Sequence, residues 1–394
     1  MKKLSSFSLL GICCLFLITG CKNKDVQPEY GVYQEPIQPS AIPADTGAEE
    51  LAVEWKTDVG EGAKDGFAIL KPGIGQQGIL TADRQGVVTA VNPENGKTIW
   101  KTDLNKSIFA GVAVGDGIAI VGHDDGIVAA LSAEDGSRLW QAAVNRQISS
   151  VAAIGRSRVV IRTADGQIIG LKADTGERAW TLERSKPELS MHGDATPVVT
   201  GDAVLIGLAN GRLLAHNVVT GREYWETEIS LSSGRNQIER LSDADTAPLV
   251  AGNHIYSAAY QGSIASLRLN DASVRWKTKV STRLQLAISG NQLLSTESLG
   301  GVVALDSETG QVLWEQLRLQ GRGISHPLVV QDRVLVGDAE GNLYSISLED
   351  GALIDTLKIA RGAVLSLLQW DNLIIAYTSE GEVSAVSLRK RLDL

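Results

Sequence analysis

Thiols are scarce in this chain, and those present sit together at one end. The 394 residues hold three cysteines, Cys13, Cys14 and Cys21. From residue 22 onward there is no disulfide, no cysteine nucleophile and no thiolate metal ligand. Basic residues are outnumbered, 37 Lys and Arg against 46 Asp and Glu, for a net charge of −9, and no basic run stands out. Such a surface repels a phosphate backbone, which argues against nucleic acid as a partner. No apolar run reaches the roughly 20 residues that a transmembrane helix needs. No helical period persists for three turns, and neither G-x-S-x-G nor H-E-x-x-H occurs.

What is present begins with a targeting segment. Lys2 and Lys3 precede an apolar stretch from about Phe7 to Ile18, and "ITGC" (Ile18 to Cys21) ends it. That string resembles the lipobox of bacterial lipoproteins, in which the peptide is cut before the cysteine and acyl chains join its sulfur and new amine. The resemblance implies a signal peptide over residues 1–20 and a lipidated (palmitate-type) Cys21. A plain secretory signal with an incidental cysteine is the alternative. Each buried CH2 contributes about 0.8 kcal/mol, so several chains anchor stably. Lys22 stands where an inner-membrane retention signal usually has Asp, which points to the periplasmic face of the outer membrane. Residues 21–50 then read as lipidated cysteine and flexible tether. "PEYGVYQEPIQPSAIPADTGAEE" holds four prolines and no hydrophobic period, too little apolar surface to offset ordering entropy.

The 41 glycines announce tight turns, and they recur. Gly86, Gly126, Gly166, Gly211, Gly262, Gly301, Gly341 and Gly381 close polar hairpins at steps of 40, 40, 45, 51, 39, 40 and 40 residues. Between them, short β-branched runs are cut by Gly-Asp, Asp-Gly and Glu-Asp-Gly turns, room for four strands of roughly 4 to 7 residues per unit. A tryptophan marks the fourth strand: Trp100, Trp140, Trp180, Trp225, Trp276 and Trp314. A large ring at one fixed place suits the gap between neighbouring sheets. The seventh unit has Asp355 there, and the eighth stops without a fourth strand. "LAVEWKTDV" (Leu51 to Val59) supplies the missing strand from the other end, with Trp55 matching Trp100. These repeats predict an all-β fold, an eight-bladed β-propeller of four-stranded antiparallel blades over residues 51–394, closed by the N-terminal strand. Trp370 fits no place in the series.

Chemistry is hard to find in it. "GIGQQG" (Gly73 to Gly78) matches a dinucleotide-binding string but lacks the strand before and helix after, and reads as a loop. His123, His192, His216, His254 and His326 have no metal-ligand spacing and read as structural. Asp243 and Asp245 form only a weak candidate metal pair. The tryptophan repeat resembles that of pyrroloquinoline-quinone dehydrogenases. Their site resembles a vicinal cysteine pair beside calcium, and no vicinal pair exists after residue 21. The expectation is no catalytic residue, no metal and no cofactor.

The two long steps are the remaining signal. The extra residues fall after Trp180 and Trp225, in "SKPELSMHGDATP" (Ser185 to Pro197) and "SSGRNQIERLSDADTAP" (Ser232 to Pro248). Both link an outer strand to the next inner strand, so both belong to one face of a disc. Long loops on a rigid scaffold are often functional, and apolar anchors beside charges suit a protein interface. Simple loop drift, with the Leu and Met buried, is the alternative.

Together the lipobox, the tryptophan repeats, "ELSMHGDATP", "IERLSDADTAP" and "SAAYQG" (Ser257 to Gly262) resemble the BamB family, lipoproteins of the outer-membrane β-barrel assembly machine (Bam complex). In that family the first link reads Leu-Ser-Leu-Arg, and its leucines and arginine face the partner BamA. The matching positions here are Leu189, Met191 and His192. Methionine keeps an apolar anchor, whereas histidine loses a permanent fork-shaped charge. The family's two aspartates match Asp243 and Asp245, with Arg240 and Leu241 beside them. The resemblance implies a non-enzymatic scaffold that binds a periplasmic POTRA domain of BamA and assists folding and insertion of outer-membrane β-barrel proteins. Other Bam complex lipoproteins and unfolded outer-membrane proteins are further implied partners. The rival readings are a periplasmic propeller that binds peptides or peptidoglycan, and a quinoprotein enzyme.

Overall fold

In a computed structural model of the chain, residues 50–63, 68–184, 195–230, 244 and 246–389 are described. Their strands form eight sheets in a ring, each an antiparallel meander from an inner to an outer strand. Blade 4 is representative: Val198–Thr200, Ala203–Gly207, Arg212–Asn217 and Glu223–Glu228. Several inner strands have only three residues, shorter than the sequence spacing suggests. Strands crowd toward the axis, so little width is available there. The middle two strands of each blade are near-continuous buried aliphatic runs, because both faces meet a neighbouring blade. Hydrophobic clusters accordingly lie between blades, as in Val160, Ile168, Val204, Ile206 and Leu214.

The tryptophans perform the packing expected of them, through a repeated device. The register slips by one residue just before the ring in every outer strand that carries one, as between Arg138 and Trp140. This bulge turns the ring away from its own sheet and toward the next blade. The Trp140 indole N–H donates to the Ala173 carbonyl at 2.8 Å, and Trp180 reaches Val218 at 3.0 Å. Gly176 lies flat against the Trp140 ring at φ +71°, where a Cβ would stand 2.5 Å from Cε3. Two residues on, a hydroxyl repeats the lock: Thr102 Oγ1 donates to the Gly136 carbonyl at 2.8 Å.

Ring closure follows the predicted route. Leu51–Asp58 is the outer strand of blade 8 and pairs antiparallel with Glu382–Leu388, from Leu51 opposite Leu388 to Asp58 opposite Glu382. Glu50 clamps the junction, accepting from Arg333 Nε and Nη2 of blade 7 at 3.0 and 2.9 Å. Trp370 also finds its place: it ends the inner strand of blade 8 (Val364–Trp370) and packs on the cluster between blades 8 and 1 that holds Ile79, Leu80, Ile375 and Tyr377. The "GIGQQG" stretch is not wholly a loop. Gly73–Ile74 is the inner strand of blade 1, and Gly75 N–H donates to the Gly78 carbonyl at 2.8 Å to form a hairpin. Just before it, Ile69–Leu70 adds a short parallel strand to blade 2.

Candidate functional site: two long links on one face of the disc

Each link from an outer strand to the next inner strand lies against the turn joining the second and third strands of a blade. Leu104, Val144, Ile229 and Ile359 donate backbone N–H to Gly86, Gly126, Gly211 and Gly341, all at 2.9 to 3.0 Å. Links and second turns therefore share one face, as the repeat spacing implies. The interiors of the two long links carry Leu189, Met191, His192, Arg240, Leu241, Asp243 and Asp245, and these lie outside the described residues, as does Cys21. What the structure fixes is where the links are held.

They are held together. Ala195 lies near the end of the first link and Ala244 near the end of the second; both are buried. Both meet Gly207, the last residue of the second strand of blade 4. A Cβ at Gly207 would stand 2.2 Å from the Ala244 carbonyl oxygen and 3.3 Å from the Ala195 methyl. Only a glycine allows both links to approach this closely. Arg162 of blade 3, 5% exposed, donates from Nη1 to the Gly207 carbonyl at 2.8 Å and the Ala195 carbonyl at 3.2 Å. Ala244 N–H donates to the Leu208 carbonyl at 3.1 Å. Two residues further, the Thr246 hydroxyl donates to the Ala258 carbonyl at 2.8 Å and accepts the Ala258 N–H at 3.0 Å, tying the second link to blade 5.

The entrances are held by charge. Arg184, just before the first link, pairs with Glu223 at 2.9 Å and Glu226 at 3.4 Å; Arg212 also meets Glu226 at 2.7 Å. These pairs are partly exposed, so they orient more than they stabilise. Beneath them His216 holds the Gly221 carbonyl with Nδ1 at 3.0 Å, and burial pushes its imidazole below the usual range. It is a neutral structural residue. His123, on the Ser107 carbonyl at 3.0 Å, and His254, edge-on to Tyr256, have structural contacts of their own. Among the described residues no group of three His, Cys, Asp or Glu side chains can hold a metal ion.

Arg162, Ala195, Gly207 and Ala244 escape a sequence search. Three have no functional group, and a lone arginine in a strand carries no spacing signal.

A family profile described as outer membrane protein assembly factor BamB matches residues 84–316 and 270–391. The chain belongs to the BamB family. It is 39% identical over 376 residues to the BamB of Legionella pneumophila (strain Paris), covering 95% of this chain and 96% of that one. It is 41% identical over 340 residues to the BamB of Pseudomonas aeruginosa, covering 86% and 90%. Among solved structures, BamB from Moraxella catarrhalis superposes with a TM-score of 0.78 at 26% identity, covering 86% and 99%. The BamB fold and the eight-bladed ring found here are thus the same architecture. Members of the BamB family belong to the machinery of outer-membrane protein assembly, a scaffold role and not a reaction.

Proposed function

We propose that the disc is a lipid-anchored scaffold of the Bam complex, docking through its two long links on a periplasmic POTRA domain of BamA. Family membership supports the setting. The observation that carries the docking site is the convergence of both links on Gly207, which brings two oversized segments to neighbouring points on one face. Leu189 and Met191 supply buried apolar area, and Asp243 and Asp245 steer a basic patch on the partner. A signal peptide over residues 1–20, a lipidated Cys21 and a tether to residue 50 place the disc at the periplasmic face of the outer membrane. From there it assists β-barrel insertion.

The test replaces Asp243 and Asp245 together by Lys in the tagged lipoprotein and captures BamA from native membranes. Loss of capture with an unchanged melting curve is expected. Undiminished capture at moderate salt rejects the site.

A further inference from the structure

In a ring of repeats, a departure from the common solution that packing does not demand is a signal, and two such departures meet at one tryptophan. Every other blade begins its second strand with a side chain larger than alanine: Ile79, Ile118, Arg158, His254, Gln292, Arg333 and Leu373. In blade 6 that residue lies beside its own ring, with Gln292 Oε1 3.3 Å from Trp314 Nε1. Blade 4 has Ala203, so the flank of Trp225 is uncovered.

The second departure is in the next blade. Gly96, Gly136, Gly176, Gly221, Gly310 and Gly351 each lie against the preceding tryptophan, where a Cβ would stand 2.4 to 2.9 Å from the ring. Blade 5 has Ala272 instead, held at φ +55°. A real methyl cannot approach that closely, and the seam between blades 4 and 5 is looser. Trp100 Nε1 is buried without a partner among the described residues, and among the bonded indoles Trp225 is the longest, 3.3 Å from the Leu269 carbonyl against 2.8 to 3.0 Å for Trp55, Trp140, Trp180, Trp276 and Trp314.

The result is a cleft of ≈ 410 Å³ on the face opposite the long links, whose lining includes Asp202, Ala203, Tyr224, Trp225, Leu269 and Asn270. Tyr224 occupies the bulge position, which is Glu54, Ile99, Leu139, Ala179, Arg275, Leu313 or Ile354 elsewhere. Its ring is 45% exposed yet fixed: the hydroxyl donates to Asp202 Oδ2 at 2.6 Å and accepts from Asn217 Nδ2 at 2.7 Å. Two aromatic rings and a carboxylate thus share one concavity whose lining, among the described residues, includes no Lys, Arg or His. No described cation pairs with Asp202, whose carboxylate keeps free lone pairs after accepting from Tyr224.

We propose that this cleft binds an organic cation, an alkylammonium group seated against Trp225 and Tyr224 with Asp202 as counter-ion. Ring faces attract cations, and a nearby carboxylate strengthens the site. Anions are repelled by Asp202, and a purely apolar guest leaves Asp202 and Asn270 desolvated without partners. A partner's lysine side chain and a free amine or amine headgroup share this chemistry.

The test follows the indole N–H signals of the full chain during titration, with Trp225 assigned through Trp225→Phe. Three probes are used: choline, Nα-acetyl-lysine methylamide, and 3,3-dimethylbutan-1-ol, the neutral isostere of choline. Saturable shifts of the Trp225 signal by the cations are expected, with at least tenfold weaker binding of the alcohol. Tighter binding of choline points to a free amine or headgroup, and tighter binding of the lysine probe to a partner side chain. Asp202→Asn, which keeps the acceptor for Tyr224, weakens the cations at least tenfold, and Ala203→Gln blocks them by refilling the flank. Equal binding of the alcohol, or unchanged affinity in Asp202→Asn, overturns the assignment. So does the absence of any shift by the cations.

Discussion

Asp355 and Leu51 lie 304 residues apart in sequence, yet the Asp355 carboxylate accepts the Leu51 backbone N–H at 2.9 Å. Asp355 stands where the other blades have tryptophan. A tryptophan there needs a continuous turn with a glycine in the next blade. In blade 8 the third and fourth strands come from opposite ends of the chain, so that turn does not exist. What exists is a strand end with an unpaired donor, and a carboxylate satisfies it. The odd residue of the repeat is the one that closes the ring.

Asp355→Ala should therefore loosen the closure. A buried N–H left unsatisfied costs about 1–3 kcal/mol, read as a lower melting temperature. Hydrogen exchange should accelerate first in Leu51–Asp58 and Glu382–Leu388. Asp355→Trp should not restore stability, because no glycine turn receives the ring. Full recovery by tryptophan contradicts this account.

Gly207→Val places a branched side chain where the Ala244 carbonyl stands, only 2.2 Å from an added Cβ. Backbone on that side must retreat. We expect about 1–3 kcal/mol of destabilisation, the usual penalty for overpacking. Capture of BamA should fall at least tenfold while the protein remains folded at 25 °C. A folded variant with unchanged capture separates the two links from the docking role.

His326 gives a pH dependence with a defined sign. It is 8% exposed, and burial pushes its imidazole down to about 4, with the charge of Lys71 adding to the effect. Between an unfolded value near 6.5 and 4, the unfolded chain binds a proton that the folded one refuses. This contribution is complete above pH 6.5 and is lost as pH falls toward 4, a total of about 3 kcal/mol. Urea melts of the wild type and His326→Gln at pH 7.5, 5.5 and 4 test it. The variant should lose less stability across that interval, and parallel curves remove His326 as the cause.

Sequence alone determined the architecture. A period near 40 with a tryptophan in six successive units, Gly-Asp turns and a stray matching strand at Leu51 leave one topology, because each unit must bury two sheet faces and only a ring gives every unit two neighbours. It also located both long links, since they appear as extra residues between fixed markers. Tertiary structure decided what spacing cannot express. Ala195 and Ala244 meet at Gly207 although no motif joins them, because so close an approach depends on what is missing from a side chain. The role of Asp355 likewise required the chain ends in place, and the cleft beside Trp225 arises from two departures in different blades, Ala203 and Ala272. Repetition is written along the chain, but the distances at which its exceptions meet exist only in the closed ring.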